Sequence, residues 1–287
     1  MTKPSWQDFG THDESAYPEL WDGVVGAWAP CLGPTGLRLH DHSRRSNWGT
    51  LTSMDAATDW AVSGGLYSLD LDGTNDVIDY GTNVSLAGAT QVSFAAWVWR
   101  SAQGAFLVFT RYSSGTTPNR TDYFGTNNVT ANGQITLSIG NASANVNNDY
   151  LSFNSTEQMV ASQWNHIAAT CTIAGNGSTC NMWLNGVPAT VNASHGGTRP
   201  TSWGANNTVS YVTGRITGFS GTNAFYSGTF DDLRVYNRLL KADEVVQLSR
   251  GRGIAYQRRT LRRVAVEQAG FRAYWARRNS QIIGGGV

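Results

Sequence analysis

The sequence predicts an all-β protein built as an antiparallel sandwich or barrel, and three observations carry that expectation. About ten short apolar or alternating runs follow one another, with Gly, Asn and Pro clusters between them and no helical pattern separating them. Only 14% of the 287 residues are charged while Gly numbers 32, the balance of a chain with many turns joining short strands. A single run in the body, KADEVVQL at 241–248, has the period of a helix. The length suits one large β-domain with a core of ordinary size, flanked by arms.

Residues 1–23 are polar and aromatic without a period, and predict an N-terminal arm. The first strand is VVGAW, beginning at Val24. A turn-rich stretch, CLGPTGLRLHDHSRRSNWGTL, leads to LYSLDLDGTNDVIDYG, which gives two strands around Asp72 and Gly73. In VSFAAWVWR, Val92, Phe94, Ala96 and Val98 share one face and Ser93, Ala95, Trp97 and Trp99 the other. Both faces are largely apolar, so this strand should be central and covered on both sides. Further strands are expected at AFLVFTRY, QITLSIG, DYLSFN, WNHIAATCTI, CNMWLNGVPA, VSYVTGRI and TFDDLRVYN.

The net charge of +1 conceals a division. Residues 1–249 carry 12 Lys/Arg against 19 Asp/Glu, whereas residues 250–287 carry nine Arg against Glu267 alone. The tail 249–287 interleaves Arg258, Arg259, Arg262, Arg263, Arg277 and Arg278 with Tyr256, Phe271, Tyr274 and Trp275. Arg and aromatics together suit a protein interface. No nucleic-acid module accompanies these arginines, so nucleic acid is not the expected partner. The expected domain plan is an arm at 1–23, a body at 24–248 and an assembly arm at 249–287.

The N-terminal stretch lacks the basic-then-apolar layout of a secretory signal, and no run is long enough to span a bilayer. Cys31 stands alone. Cys171 and Cys180 face each other if the hairpin around Gly175 and Asn176 is regular. They can be a cross-strand disulfide or two small buried thiols, and the lack of an export signal favours the thiols.

Several pieces, in order across about 24–248, resemble the laminin-G-like, concanavalin A-like jelly-roll domains. They are LHDHSRRSNWGTL, SLDLDGTNDVIDYG, FAAWVW, WNHIAATCT, MWLNGV and GTFDDLRVYNRLLKADEV. The resemblance implies a two-sheet jelly roll and, near the Asp231 position, a calcium ion. Asp231 alternates with Leu233 and Val235, and Asp232 with Phe230, Arg234 and Tyr236, so Asp231 is expected to point into the core and to cost more when removed. Asp41 and Asn47 would be the further oxygen ligands of a calcium site with Asp231. The alternative is that the Asp231 carboxylate simply accepts backbone hydrogen bonds.

Glycosidases need a pair of carboxylates flanking one bond. Between 20 and 243 the sole Glu is Glu157, and Asp231 and Asp232 project to opposite faces of a regular strand. The sequence therefore predicts a protein that is not an enzyme. Two readings remain. In the first, a bacteriophage virion component (head decoration, fibre or tail protein) displays the jelly roll. Its arms, Arg258, Arg259, Arg262, Arg263, Phe271, Tyr274, Trp275, Arg277 and Arg278 foremost, dock on other virion proteins or on further copies of itself. In the second, the chain is a cellular or secreted lectin or adhesin. In both, Tyr123 and Trp203, placed in long loops, are the candidates for stacking on a host-surface glycan.

Overall fold

A computed structural model describes residues 11–12, 17–82, 84–101, 105–113, 120–127, 133–140, 149–204, 209–217 and 223–257. Two antiparallel sheets lie face to face, as the strand pattern predicts. The eight-stranded sheet runs in the order Val187–Ala189, Thr179–Leu184, Trp164–Thr172, Gln91–Trp99, Ser227–Tyr236, Leu66–Asp72 and Trp60–Ser63, with Val24–Trp28 also paired to Ser227–Tyr236. The nine-stranded sheet runs Val191–Ala193, Tyr150–Gln158, Gln134–Gly140, Arg120–Asn127, Phe106–Ser113, Val212–Thr213, Val77–Asp79, Gly49–Thr52 and Arg38–Leu39. Hairpin neighbours alternate with pairs distant in sequence, such as Gln91–Trp99 beside both Trp164–Thr172 and Ser227–Tyr236, the connectivity of a jelly roll.

The core lies between the sheets because each strand alternates. From the eight-stranded sheet come Phe94, Ala96, Val98, Ile167, Ala169, Phe230, Leu233 and Val235. Phe106, Phe109, Phe124, Leu137, Ile139, Leu151 and Phe153 meet them from the other. Phe94 touches both Phe109 and Phe124, with ring centres 5.7 and 5.3 Å away. Each fully buried Phe, Leu, Ile or Val side chain here contributes roughly 1.5–3 kcal/mol.

A second apolar cluster covers the outer face of the eight-stranded sheet. Ala95, Ala168, Trp183 and Tyr236 on the strands pack under Leu20, Leu240, Val245, Leu248 and Ala255. The Ala242–Leu248 helix supplies part of this cover. Glu244 starts it by accepting from the backbone N–H of Lys241 at 2.6 Å, and also pairs with Arg238 at 2.6 Å.

Both expected arm boundaries are corrected by this cover. Leu20 is fully buried, the Tyr236 hydroxyl donates to its carbonyl at 3.2 Å, and Arg238 Nε donates to the Asp22 carbonyl at 2.8 Å. At the other end the body continues to Gln257. Ala255 and Tyr256 are buried, and Tyr256–Gln257 pairs with Thr11–His12. Tyr256, expected at a partner interface, instead belongs to the body. The reason is sheet coverage: the apolar outer face around Ala95 and Ala168 stays exposed unless the terminal segments lie on it.

Candidate functional site

The outer face of the nine-stranded sheet is built differently. Alternation in QITLSIG sends Ile135, Leu137 and Ile139 inward and leaves Thr136, Ser138 and Gly140 outward. Register then aligns three strands: Tyr123 stands opposite Ser138 and Ser138 opposite Ser152, while Gly125, Thr136 and Asn154 form the next row. Tyr150 stands opposite Gly140 on the same face, and Thr110 opposite Tyr123. The result is a row of buried hydroxyls bordered by two half-buried tyrosines. Burial pushes the Tyr123 phenol up, against the opposing effect of the Ser138 hydroxyl. Tyr226 lies close enough for Tyr123 to add to the rise that burial produces in its own phenol.

Thr110 Oγ1 and Asn154 Oδ1 are buried on this face without a hydrogen-bond partner. A buried polar atom left unmatched costs about 1–3 kcal/mol, and a hydroxylated ligand removes that cost. Hydroxyls, an amide and phenols on one sheet face are the chemistry that recognises a polyol.

Asp231 lies elsewhere, and its expected direction is corrected. The 227–236 strand is bulged: Asp231 pairs with Trp97, but the next paired residue is Arg234, opposite Ala95. Asp232 is the extra residue, with φ at 45°. The extra residue reverses the alternation, so Asp231 shares the outer face with Trp97 while Leu233 and Val235 remain in the core. Asp231 Oδ1 accepts from the backbone N–H of Cys31 at 2.9 Å and of Asp232 at 2.8 Å, and Oδ2 faces Arg252 at 3.6 Å. Burial, with the neighbouring Asp232 charge next, pushes the Asp231 carboxyl up to about 7.

Asp232 holds Arg234 Nε at 2.8 Å and accepts from the Gly253 N–H at 3.1 Å. The Arg234 guanidinium lies against the rings of Trp21 and Tyr256, at 4.7 and 4.8 Å from their centres, and the two rings meet edge to face at 5.3 Å. Arg252 stacks 4.1 Å from the Trp164 ring and donates to the Ser63 carbonyl. Gly253 has φ of 68°, and a Cβ there would stand 2.6 Å from Cys31 Sγ, so this close approach requires glycine. The acidic pair is thus a clasp that fastens residues 252–256 to the body.

Asp41, Asn47 and Asp231 do not fit the calcium site the resemblance implies, because their oxygens are already committed to the protein's own donors. Both Asp41 oxygens are already occupied: Oδ1 accepts from the N–H groups of Ala27 and Ser43, and Oδ2 from the Ser43 hydroxyl and the Asn47 N–H, at 2.8–3.0 Å. The Asn47 amide donates to the Val25 carbonyl at 2.8 Å, and its backbone carbonyl accepts from Trp28 Nε1 at 2.7 Å. These contacts make Asp41 the organiser of its own turn. Among the described residues no group of three or more His, Cys, Asp or Glu side chains is arranged to hold a metal ion.

Trp203 is also corrected as a ligand contact. It is 1% exposed, donates from Nε1 to the Tyr211 hydroxyl at 2.8 Å, and packs 5.6 Å from Phe94. Tyr123 is on the Arg120–Asn127 strand rather than in a loop. Arg258, Arg259, Arg262, Arg263, Phe271, Tyr274, Trp275, Arg277 and Arg278 lie outside the described residues. Sequence reasoning missed Ser138, Ser152, Asn154 and Tyr150, although the alternation of QITLSIG and DYLSFN contained the signal.

Two antiparallel sheets packed face to face, with strands distant in sequence paired at their centres, define a jelly-roll β-sandwich. The family model described as the concanavalin A-like lectin/glucanases superfamily matches residues 72–246, more than half of the sequence, and the chain belongs to that superfamily. Among solved structures it is similar to domain 4 of AbnA, a GH43 extracellular arabinanase from Geobacillus stearothermophilus, in complex with arabinotriose. The identity is 16% and the TM-score 0.53, over 79% of this chain and 98% of that one. A Trypanosoma rangeli sialidase in complex with sialic acid is matched at 14% identity and TM-score 0.47, over 79% of this chain and 32% of the sialidase. The binding domain of botulinum neurotoxin DC in complex with SialylT is matched at 10% and 0.47, over 80% and 52%. The chain therefore spans nearly all of the arabinanase domain but about a third of the sialidase. No curated protein matches the sequence.

These comparisons overturn the expectation that the chain is not an enzyme. Its superfamily is described as embracing glucanases as well as lectins, and its fold recurs as domain 4 of an arabinanase. The missing Glu/Asp motif was a weak ground, since a fold admits many arrangements of reacting groups. Among the described residues no helix is long and apolar enough to cross a membrane.

Proposed function

We propose that the chain binds a glycan on the outer face of its nine-stranded sheet and displays that face on a bacteriophage virion. The observation that carries the glycan reading is the row Tyr123, Ser138 and Ser152, flanked by Tyr150 and by the unmatched Thr110 Oγ1 and Asn154 Oδ1. Sugars offer hydroxyls to such groups and an apolar ring face to a tyrosine. That the arabinanase domain is found with arabinotriose supports the same ligand class. The virion reading rests on charge. With the body reaching at least to Gln257, residues 1–257 carry 14 Lys/Arg against 19 Asp/Glu, and residues 258–287 carry seven Arg against one Glu. A basic, aromatic segment joined to an acidic body suits docking on an acidic protein surface, whether another virion component or a second copy.

The test is calorimetric titration of the full chain with arabinotriose and with sialyllactose, with mass spectrometry on the sugar to detect any turnover. Binding of either sugar, weakened at least tenfold by Tyr123→Ala with melting unchanged, is the expected result. Binding that Tyr123→Ala and Asn154→Ala leave intact would place the ligand elsewhere. Co-sedimentation with phage particles, lost on removal of 258–287, is expected for the virion reading; a soluble monomer with and without the segment would overturn it.

A further inference from the structure

We propose that Cys171 and Cys180 are an oxidisable pair that closes into a cross-strand disulfide when the folded protein meets oxidising surroundings. The two residues are direct partners in the pairing of Trp164–Thr172 with Thr179–Leu184. Direct partners in an antiparallel pair have Cα atoms about 4.5–5.5 Å apart, inside the range of about 4.4–6.8 Å that a disulfide accepts. Their side chains are on the same face: Cys171 belongs to the central core, and Cys180 packs against that core. Both are free thiols in this structure. The two thiols contact each other, and beyond that each has a long contact to the carbonyl of the next residue, at 3.7 Å, so closing the bond gives up little.

Access is one-sided. Cys171 is buried and Cys180 is half-buried. The Val187–Ala189 strand pairs with Met182, Trp183 and Leu184, and so stops short of Cys180. Cys180 is therefore the sulfur that a small disulfide such as oxidised glutathione reaches first. Its thiolate attacks one sulfur, giving a protein–glutathione mixed disulfide and releasing one glutathione. The Cys171 thiolate then attacks Cys180 Sγ and releases the second glutathione. One S–S bond is broken and one is made; the two protons leave on the glutathione thiols, and two electrons pass from the protein to the oxidant. Burial and the neighbouring Cys171 hold the Cys180 thiol well above its usual range, so the reaction is slow at neutral pH and accelerates as pH rises.

The experiment uses the full chain carrying Cys31→Ser, so that only the pair reacts. Native protein is incubated with oxidised glutathione from pH 7 to pH 9, and the intact mass and non-reducing peptide map are followed. Expected are the loss of two hydrogens, a peptide linked through Cys171 and Cys180, a rate rising about tenfold per pH unit and a Tm higher by about 5 °C. A Cys171→Ala variant should stop at the mixed disulfide on Cys180, and wild-type mapping stands on its own if that variant does not fold. Linkage only after denaturation, or a stable double glutathione adduct in the native protein, would overturn the proposal.

Discussion

The two outer faces of this sandwich start from the same rule of alternation and finish with opposite surfaces. On the eight-stranded sheet the outward residues Ala95, Ala168, Trp183 and Tyr236 are apolar, and the chain ends are folded over them. The charges drawn under that cover are matched: Asp232 holds Arg234, Asp231 faces Arg252, and the guanidiniums rest on Trp21, Tyr256 and Trp164. On the nine-stranded sheet the outward residues are Tyr123, Ser138, Ser152 and Asn154, and among the described residues no second apolar cluster covers them. The difference shows where stability and recognition have been divided. A buried ionic clasp is sensitive to loss of any member, whereas a face of hydroxyls is not needed to hold the sheets together.

The largest expected effect comes from cutting the cover. A chain ending at Leu248 loses Arg252, the Gly253 N–H and Tyr256, leaving Asp231, Asp232 and Arg234 short of partners; it should fail to fold cooperatively at 25 °C. A chain ending at Gln257 should keep its β-sheet circular dichroism and melt near wild type. Equal stability of the two truncations would mean that the clasp is ornamental.

Next comes the acidic pair itself. Asp232→Asn leaves the fully buried Arg234 without its counter-ion and should cost about 3–5 kcal/mol in urea unfolding. Asp231→Asn keeps the acceptor for the Cys31 and Asp232 N–H groups and should cost nothing at pH 8. This ordering reverses what strand alternation alone implies, and an Asp231 variant that is the weaker of the two would restore it.

The pH profile sharpens the same point. Asp231 has its folded pKa at about 7, above the ordinary 3.8, so the folded state holds its proton longer than the unfolded chain. Its contribution is full at low pH and is lost as pH rises from about 4 to 7, by about 4 kcal/mol at most. His166, fully buried beneath the same cover, is depressed from 6.5 to about 3 by burial and by Arg234. It acts oppositely, adding stability as pH rises from about 3 to 6.5. Wild type should therefore show a shallow profile between pH 4 and 6.5. Asp231→Asn should unmask a rising slope and His166→Phe a falling one, measured by urea midpoints; parallel curves for all three would dismiss the assignment.

The smallest effect is expected on the other sheet. Tyr123→Phe removes one hydroxyl from a half-buried site and should shift unfolding by less than about 1 kcal/mol while weakening sugar binding. A loss comparable to that of Asp232→Asn would make the hydroxyl row structural.

Local sequence determined the strands, because period-two alternation in QITLSIG or VSFAAWVW needs no knowledge of partners. The order of motifs from LHDHSRRSNWGTL to GTFDDLRVYNRLLKADEV also carried the superfamily. The polar row was within reach too, since its residues alternate with core residues on strands already marked. Three things were decided only in three dimensions. The bulge at Asp232 depends on how the strand registers against Trp97 and Ala95, and one extra residue inverts every facing inferred before it. Trp203 is surrounded by turn residues in the sequence, yet its indole fills the core and finds the Tyr211 hydroxyl through a contact that composition does not encode. Residues 250–257 read as part of a basic tail, but Arg252 meets its carboxylate partner 21 positions away in the chain. That partner is visible only once the strand bearing Asp231 is buried, where a charge without a counter-ion is costly.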